Sequence, residues 1–266
     1  MLTYKNFWPT FDKKNFWFSK KIKTDREITI SSVFFNNEHT IEKLLNENNY
    51  TILYSFENLY HPNYDYIIPY LTDFDLIIGI NDIDLNNYIR IPAYLMYGIN
   101  NYSQFTKKNK NICMVSKNPH NLRIDLVNKL KDRNVIVDCG GSLLNNIGYN
   151  VESKYNFLLD YYFNICPENS YAKGYCTEKI YQALQANCIP VYWGDLSCDN
   201  DIINTQKILH INKDLSNIDL IIDQCVYLLN NKNELHSILN KVSFDIYKLQ
   251  NQNISTINKI KKFLKQ

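Results

Sequence analysis

Thirteen residues between an apolar run and a helical pattern carry the densest chemistry in this sequence: Pro167-Glu168-Asn169-Ser170-Tyr171-Ala172-Lys173-Gly174-Tyr175-Cys176-Thr177-Glu178-Lys179. Thr177 can cap the helix that follows, and the first backbone amides of a helix lack intrahelical partners, so the junction predicts an anion site. Glu178 in the first turn suits the helix dipole, whereas Lys179 does not. A cation at a helix start that already attracts anions points to a negative visitor such as a diphosphate. The plainer reading is a solvated surface lysine. Gly174 permits a close approach of backbone to ligand. Arg123 repeats the arrangement one turn into another helix that follows a strand, and a guanidinium can bridge phosphate oxygens two at a time. Alone it reads more readily as an exposed helix arginine. Two such junctions together predict a nucleotide-diphosphate site.

Other routes to that chemistry are missing. The chain has neither G-x-x-x-x-G-K-[ST] nor G-x-G-x-x-G after a strand, and Gly140-Gly141 is only a glycine-rich turn. Its five histidines are scattered without ligand spacing, so no metal site is expected. Asn81-Asp82-Ile83-Asp84 has a carboxylate spacing that a divalent cation could use, but it falls before the expected domain boundary. A formal charge of +2, from 29 Lys and Arg against 27 Asp and Glu, is too balanced for a nucleic-acid partner. Seven cysteines without a C-x-x-C pair argue against a disulfide framework and read as buried thiols of a reducing compartment. No apolar run approaches roughly 18 residues, so no membrane span is expected. The expected location is the cytoplasm, with peripheral contact at the inner face of a membrane left open.

The elements that must position these groups alternate between strand and helix. Strand-like runs fall at 28–35, 51–55, 74–78, 111–116, 135–138, 163–166, 189–193 and 207–211. Helical patterns fall at 41–45, 122–130, around 157–158, after Thr177, at 218–229 and at 234–249. In the second of these, Leu122, Leu126 and Leu130 recur every four residues and make one face apolar. This rhythm predicts parallel α/β architecture in two halves. The polar, lysine-rich segment 104–111 divides a first domain at 1–105 from a second at 106–240, with a terminal helix or tail at 241–266. Ligands of such folds bind at the carboxyl ends of strands. Polar clusters stand there at Glu57-Asn58, at 117–123 and at 168–179.

These residues, in this order, resemble a known signature. Phe163-Asn164-Ile165-Cys166-Pro167-Glu168-Asn169, then Gly174-Tyr175-Cys176-Thr177-Glu178-Lys179-Ile180 and Ile189-Pro190-Val191-Tyr192-Trp193-Gly194, are similar to the motif of the α1,3/4-fucosyltransferases, glycosyltransferase family 10, especially its bacterial members. Gly140-Gly141-Ser142, Asn146 and Gly148-Tyr149-Asn150 resemble the family's glycine-rich turn. Glu57-Asn58, Pro62-Asn63-Tyr64-Asp65 and Tyr88-Ile89-Arg90-Ile91-Pro92 resemble its N-terminal domain. The chain departs from the pattern at Pro167, at Cys176 and in a shorter linker between the halves.

The resemblance implies a B-type glycosyltransferase fold, two Rossmann-like α/β domains facing across a cleft. It implies an acceptor in the first domain and GDP-fucose in the second. By the same likeness Asn169, Tyr175, Glu178 and Lys179 line the donor site, Arg123 contacts the diphosphate and Glu57 is the general base. The implied reaction is an inverting single displacement. Glu57 takes the acceptor proton, and Arg123 and Lys179 neutralise the departing diphosphate, with no divalent metal or tightly bound cofactor required. The expected product carries fucose on O3 of N-acetylglucosamine or glucose in a glycan. Two rival readings stay open: a transferase using another nucleotide sugar, and a catalytically silent glycan- or nucleotide-binding module.

Overall fold

The computed structural model describes residues 1–9, 11–97 and 108–265. The chain divides into two compact units, one of Met1–Gly98, Ala172–Tyr175 and Tyr247–Gln266, the other of Ile99–Tyr171 and Cys176–Ile246. The boundary expected at 105 lies outside the described residues.

In the first unit β1 (Leu2–Lys5), β2 (Ile28–Ser32), β3 (Tyr50–Ser55), β4 (Leu76–Gly79) and β5 (Tyr88–Arg90) form one parallel sheet in that order. The central strands are buried almost throughout, as a parallel sheet covered on both faces requires. α1 (Trp17–Lys21), α2 (Glu38–Leu45), a 3₁₀ segment (Pro62–Asp73) and α3 (Ala93–Tyr97) complete it. α2 begins where the Asn37 side chain accepts the Thr40 N–H at 3.0 Å, and it buries Ile41 and Leu44 beside Leu53, Ile67 and Ile77. Two edge strands, β1 and β5, were not legible in the pattern. β1 is half-buried and partly polar, and β5 has only three residues, so their neighbours in the sheet define them.

In the second unit β6 (Lys110–Met114), β7 (Val137–Cys139), β8 (Tyr161–Ile165), β9 (Ile189–Tyr192) and β10 (Leu209–His210) form a parallel sheet ordered β10-β9-β8-β6-β7. α4 (Asn121–Asp132), α5 (Lys154–Leu158), α6 (Glu178–Gln185), α7 (Ile218–Asn230) and α8 (Lys232–Leu239) connect and cover it. Leu122, Leu126 and Leu130 of α4 join the core with Ile112, Phe163 and Val191. The chain runs outward from β6 to β7 and then returns to lay β8 on the other side of β6. Loops leaving β6 and β8 therefore diverge and leave a crevice at their carboxyl ends.

Two local expectations are corrected. The single helix expected at 234–249 is two, α8 and α9 (Ile246–Phe263). Between them Phe244 bridges Ile203, the Asn204 N–H donates to the Ser243 carbonyl at 3.0 Å, and the Lys207 ammonium donates to the Leu239 and Lys241 carbonyls at 2.9 Å. These long-range bonds bend the chain where its own pattern would continue. Lys108, expected in a solvated linker, is instead buried and donates to the Leu159 carbonyl at 3.0 Å and the Ala186 carbonyl at 2.8 Å. It thereby satisfies carbonyls left open at the ends of α5 and α6. No helix among the described residues is long and apolar enough to cross a membrane.

Candidate active site

The connector after β8 is tied to β9 at once, because the Glu168 N–H donates to the Trp193 carbonyl at 2.8 Å. The Glu168 side chain is completely buried. Its carboxylate accepts from the Thr177 N–H at 2.8 Å, the Thr177 hydroxyl at 2.7 Å, the Lys179 ammonium at 2.9 Å and the Tyr192 hydroxyl at 3.1 Å. Gly194 leaves the space for this, since a Cβ there would lie 2.8 Å from Glu168 Cγ and would strike the Tyr192 hydroxyl. Glu168 falls in the expected polar cluster at 168–179 but was given no role of its own there. A carboxylate directly after a buried strand was the signal available, but its partners arrive from α6 and β9.

This geometry corrects two inferences. Thr177 stands at the N-cap of α6, yet its hydroxyl turns to Glu168 and makes no cap hydrogen bond. Lys179 has an internal counter-ion, so its place in the first turn of α6 does not by itself demand an external anion. Burial alone would lower the Lys179 ammonium; Glu168 and then Glu178 outweigh it and push it up to about 12. Glu178 lies 3.5 Å from Lys179. Burial would raise its carboxyl, but Lys179 and the half-buried Lys154 hold it below the usual carboxylate range.

Across the β6–β8 reversal stands Arg123, only 3% exposed. It is neither a surface arginine nor an open fork: Nη1 donates to the Asn118 carbonyl at 2.9 Å, and Nη2 to the Pro167 carbonyl at 2.9 Å and Asn169 Oδ1 at 2.8 Å. Those acceptors are neutral oxygens, so these bonds orient the guanidinium without cancelling its charge. His120, at the start of α4, has a buried Nδ1 with no hydrogen-bond partner, and burial, with Arg123 beside it, pushes its imidazole down. Its ring centroid lies 5.8 Å from that of Trp193, which is 5.4 Å from that of Tyr171. These aromatic residues come from three separate loops, and only the fold brings their rings together.

The other expected groups lie in the first unit. Glu57 stands two residues past the end of β3 and is half-buried, with its carbonyl accepting the Ser55 hydroxyl at 2.9 Å. Asn58 fixes the turn: its Oδ1 accepts from the Tyr60 N–H at 3.0 Å and from Asn81 Nδ2 at 2.9 Å. Burial, with Glu57 adding to it, raises the Tyr64 hydroxyl strongly. Tyr175 is buried and donates its N–H to the Ala172 carbonyl at 3.0 Å. Gly174, with φ +71°, does make a close approach, but to the chain itself: a Cβ would sit 2.9 Å from Asp82 Cβ, and the Gly174 carbonyl accepts from Arg90 at 2.9 Å. Asp82 is paired with Lys173 at 2.6 Å. Among the described residues no three His, Cys, Asp or Glu side chains gather as metal ligands.

Two parallel α/β sheets, the second with a reversal crevice bounded by an arginine and a carboxylate-held lysine, define a protein built like the two-domain glycosyltransferases. Residues 105–259 match the family model described as glycosyltransferase family 10 (fucosyltransferase) C-terminal region. An α-(1,3)-fucosyltransferase, FucT, of Helicobacter pylori is 30% identical over 247 residues, 76% of this chain and 49% of that protein. A putative fucosyltransferase, R654, of Acanthamoeba polyphaga mimivirus is 29% identical over 137 residues, 46% of this chain and 22% of that protein. The chain thus spans about half the length of the first of these relatives and less of the second. A crystal structure of an α1,3-fucosyltransferase matches with a TM-score of 0.77 at 22% identity, covering 100% of this chain and 90% of that one. One with GDP-fucose matches at 0.74 and 23%, with the same coverage. The chain belongs to glycosyltransferase family 10.

Proposed function

We propose that this chain transfers L-fucose from GDP-fucose to a glycan hydroxyl, inverting the anomeric carbon. The strongest support is the crevice at the β6–β8 reversal, bounded by Arg123, Asn169, Glu178 and Lys179, in a chain of this family. The likeness to a structure solved with GDP-fucose agrees with that donor. Lys179 spends two N–H bonds on Glu168 and Thr177 and stands 3.5 Å from Glu178, so its third proton turns to the diphosphate when the donor binds. Arg123 adds positive charge and holds Asn169 toward the donor, while Glu178 accepts from a donor hydroxyl and Tyr175 completes the donor site. Glu57 removes the acceptor proton as its oxygen attacks. Charge on the departing diphosphate is neutralised by Arg123 and Lys179 without a divalent ion. The acceptor hydroxyl is O3 of N-acetylglucosamine or glucose, and the enzyme works in the cytoplasm, in reach of the membrane's inner face.

The test is turnover of GDP-fucose, GDP-mannose and UDP-galactose with N-acetyllactosamine in the presence of EDTA, together with calorimetry of GDP and UDP. Transfer from GDP-fucose alone, and GDP binding weakened about 10–100-fold in Lys179→Ala by loss of a charged hydrogen bond, are expected. Turnover of a UDP-sugar, or unchanged GDP affinity in both Arg123→Ala and Lys179→Ala, would overturn the assignment.

A further inference from the structure

Charge is spread unevenly along the chain. Residues 1–26 hold seven Lys and Arg against two Asp, a net of +5 where the whole chain has +2. Lys13, Lys14, Lys20, Lys21 and Lys23 are all exposed, and so are Trp8 and Pro9. We infer that this aromatic, lysine-rich face of the first unit docks on an anionic phospholipid bilayer, with Trp8 entering the headgroup layer. The inference deepens the reading that the enzyme works in reach of a membrane, and rests on that reading for its location only.

The aromatic part is built outward from the core. Phe16 is buried, with its ring centroid 5.0 Å from that of the buried Tyr54. Phe11 lies 5.1 Å from Phe16 and stacks on Phe7 at 3.9 Å. Trp8, 40% exposed, packs edge-on against Phe11 at 5.3 Å. Its turn is closed by the Phe11 N–H, which donates to the Trp8 carbonyl at 3.0 Å. The lysines are tied to this platform through Tyr4, whose ring lies 5.5 Å from Phe11 and whose hydroxyl is hydrogen-bonded to that of Ser19. Ser19 in turn donates to the Lys13 carbonyl at 3.3 Å, and the Lys20 ammonium donates to Asn15 Oδ1 at 2.8 Å. Lys13, Lys14 and Lys20 therefore border the aromatic group.

The charges of this face point to its partner. Among the described residues Lys5 is ion-paired with Glu47, whereas none of the five exposed lysines has a carboxylate within ion-pair distance. Asp12, next to them in the sequence, accepts instead from the Lys14 and Asn15 N–H groups at 3.0 and 3.2 Å. Arg26 lies over the Tyr50 ring at 4.7 Å, so no arginine fork stands among the exposed cations. An ammonium is a point charge on a flexible stem, which suits the mobile phosphates of a lipid surface better than one fixed phosphate. An indole, apolar with a single N–H donor, favours the boundary between headgroups and acyl chains. A single-stranded nucleic acid would need open ring faces, and Phe7 and Phe11 close theirs on each other.

The probe is sedimentation of the full chain with phosphatidylcholine vesicles, with and without phosphatidylglycerol, at low and at high salt. Partitioning onto the anionic vesicles should exceed that onto neutral ones by at least about 100-fold and fall as salt rises. The variant Lys13→Gln/Lys14→Gln/Lys20→Gln should weaken it about 100-fold, roughly fivefold for each charge. It touches only exposed groups, and an unchanged melting temperature checks its folding. Trp8→Ala should weaken binding about tenfold with the salt dependence kept, and should abolish the blue shift of tryptophan emission that the wild type shows on docking. A wild type that docks yet transfers no fucose would sink the proposed activity and keep the surface. Equal partitioning onto neutral and anionic vesicles, or equal binding by wild type and lysine variant, would overturn the assignment whatever the activity. Salt-sensitive binding without any change in Trp8 emission would put a soluble polyanion in place of the bilayer and overturn it as well.

Discussion

Glu168 and Lys179 illustrate how a single residue's role depends on where its counter-charge sits. Lys179 is 17% exposed and Glu168 is completely buried, so each leaves the other in a costly position if removed. Breaking such a pair from one side costs about 3–5 kcal/mol, and Gln, which keeps one oxygen, should fall near the lower figure. Glu168→Gln is therefore expected to lower the melting temperature by roughly 6–12 °C at pH 7.5. The sign with pH follows from the lysine. Its ammonium is raised from 10.5 to about 12, so the pair's contribution is whole below pH 10.5 and is lost as pH rises through 12. The gap between wild type and Glu168→Gln should stay constant from pH 7 to 9 and close at higher pH, which thermal melts at each pH would measure. Glu57 belongs to chemistry rather than stability on the proposed reading. Glu57→Gln keeps its size and most hydrogen bonding, so kcat should fall about 10²–10⁴-fold with GDP affinity and melting temperature nearly unchanged. Retention of more than about a third of kcat, where chemistry limits turnover, would return Glu57 to the task of bracing its turn.

At the scale of elements, helix ends decide much of what the second unit does. Two buried lysines serve carbonyls there, Lys108 for α5 and α6 and Lys207 for α8. In Lys108→Met the Ala186 carbonyl loses this donor, at about 1–3 kcal/mol if buried and unsatisfied. A marked loss of stability in urea, with little change in m-value, is expected. α4 has the opposite problem, an N-cap histidine that makes no cap bond. Because burial and Arg123 depress the His120 pKa below 6.5, the folded state resists its protonation, and stability is lost as pH falls through that region. His120→Asn removes the titrating group and supplies a cap oxygen worth about 1 kcal/mol. Its melting temperature should exceed that of wild type, and by more at pH 5 than at pH 7.5. The helical patterns of α2, α4, α6 and α7 were legible because each repeats apolar residues on one face. The break between α8 and α9 was not, because Ile203, Asn204 and Lys207 impose it from 32 to 41 residues away.

For the whole molecule, all seven cysteines are free thiols, six of them buried and Cys198 partly exposed. Burial pushes the thiols of Cys113, Cys139, Cys166, Cys188 and Cys225 up, which suppresses the reactive thiolate further. A disulfide-exchange reagent such as Ellman's should therefore titrate one thiol rapidly in the native protein and seven after denaturation. Two or more fast thiols would mean that a unit opens far more readily than its packing implies.

The amino-acid sequence by itself determined the alternation of strand and helix, the two-sheet α/β class and the family, since those rest on local periodicity and on contiguous motifs. It also marked both junctions where Arg123 and Lys179 stand. Only the tertiary structure decided what those cations touch. Lys179 meets a carboxylate 11 residues earlier, Arg123 a carbonyl 44 residues later, and Lys108 a carbonyl 78 residues later. Strand order sets each of these meetings, because β8 lies beside β6 and β9 rather than β7. A pattern read along the chain records which residue can carry a charge. The lateral order of strands, fixed by packing between distant segments, determines whether that charge faces a buried partner or an open crevice.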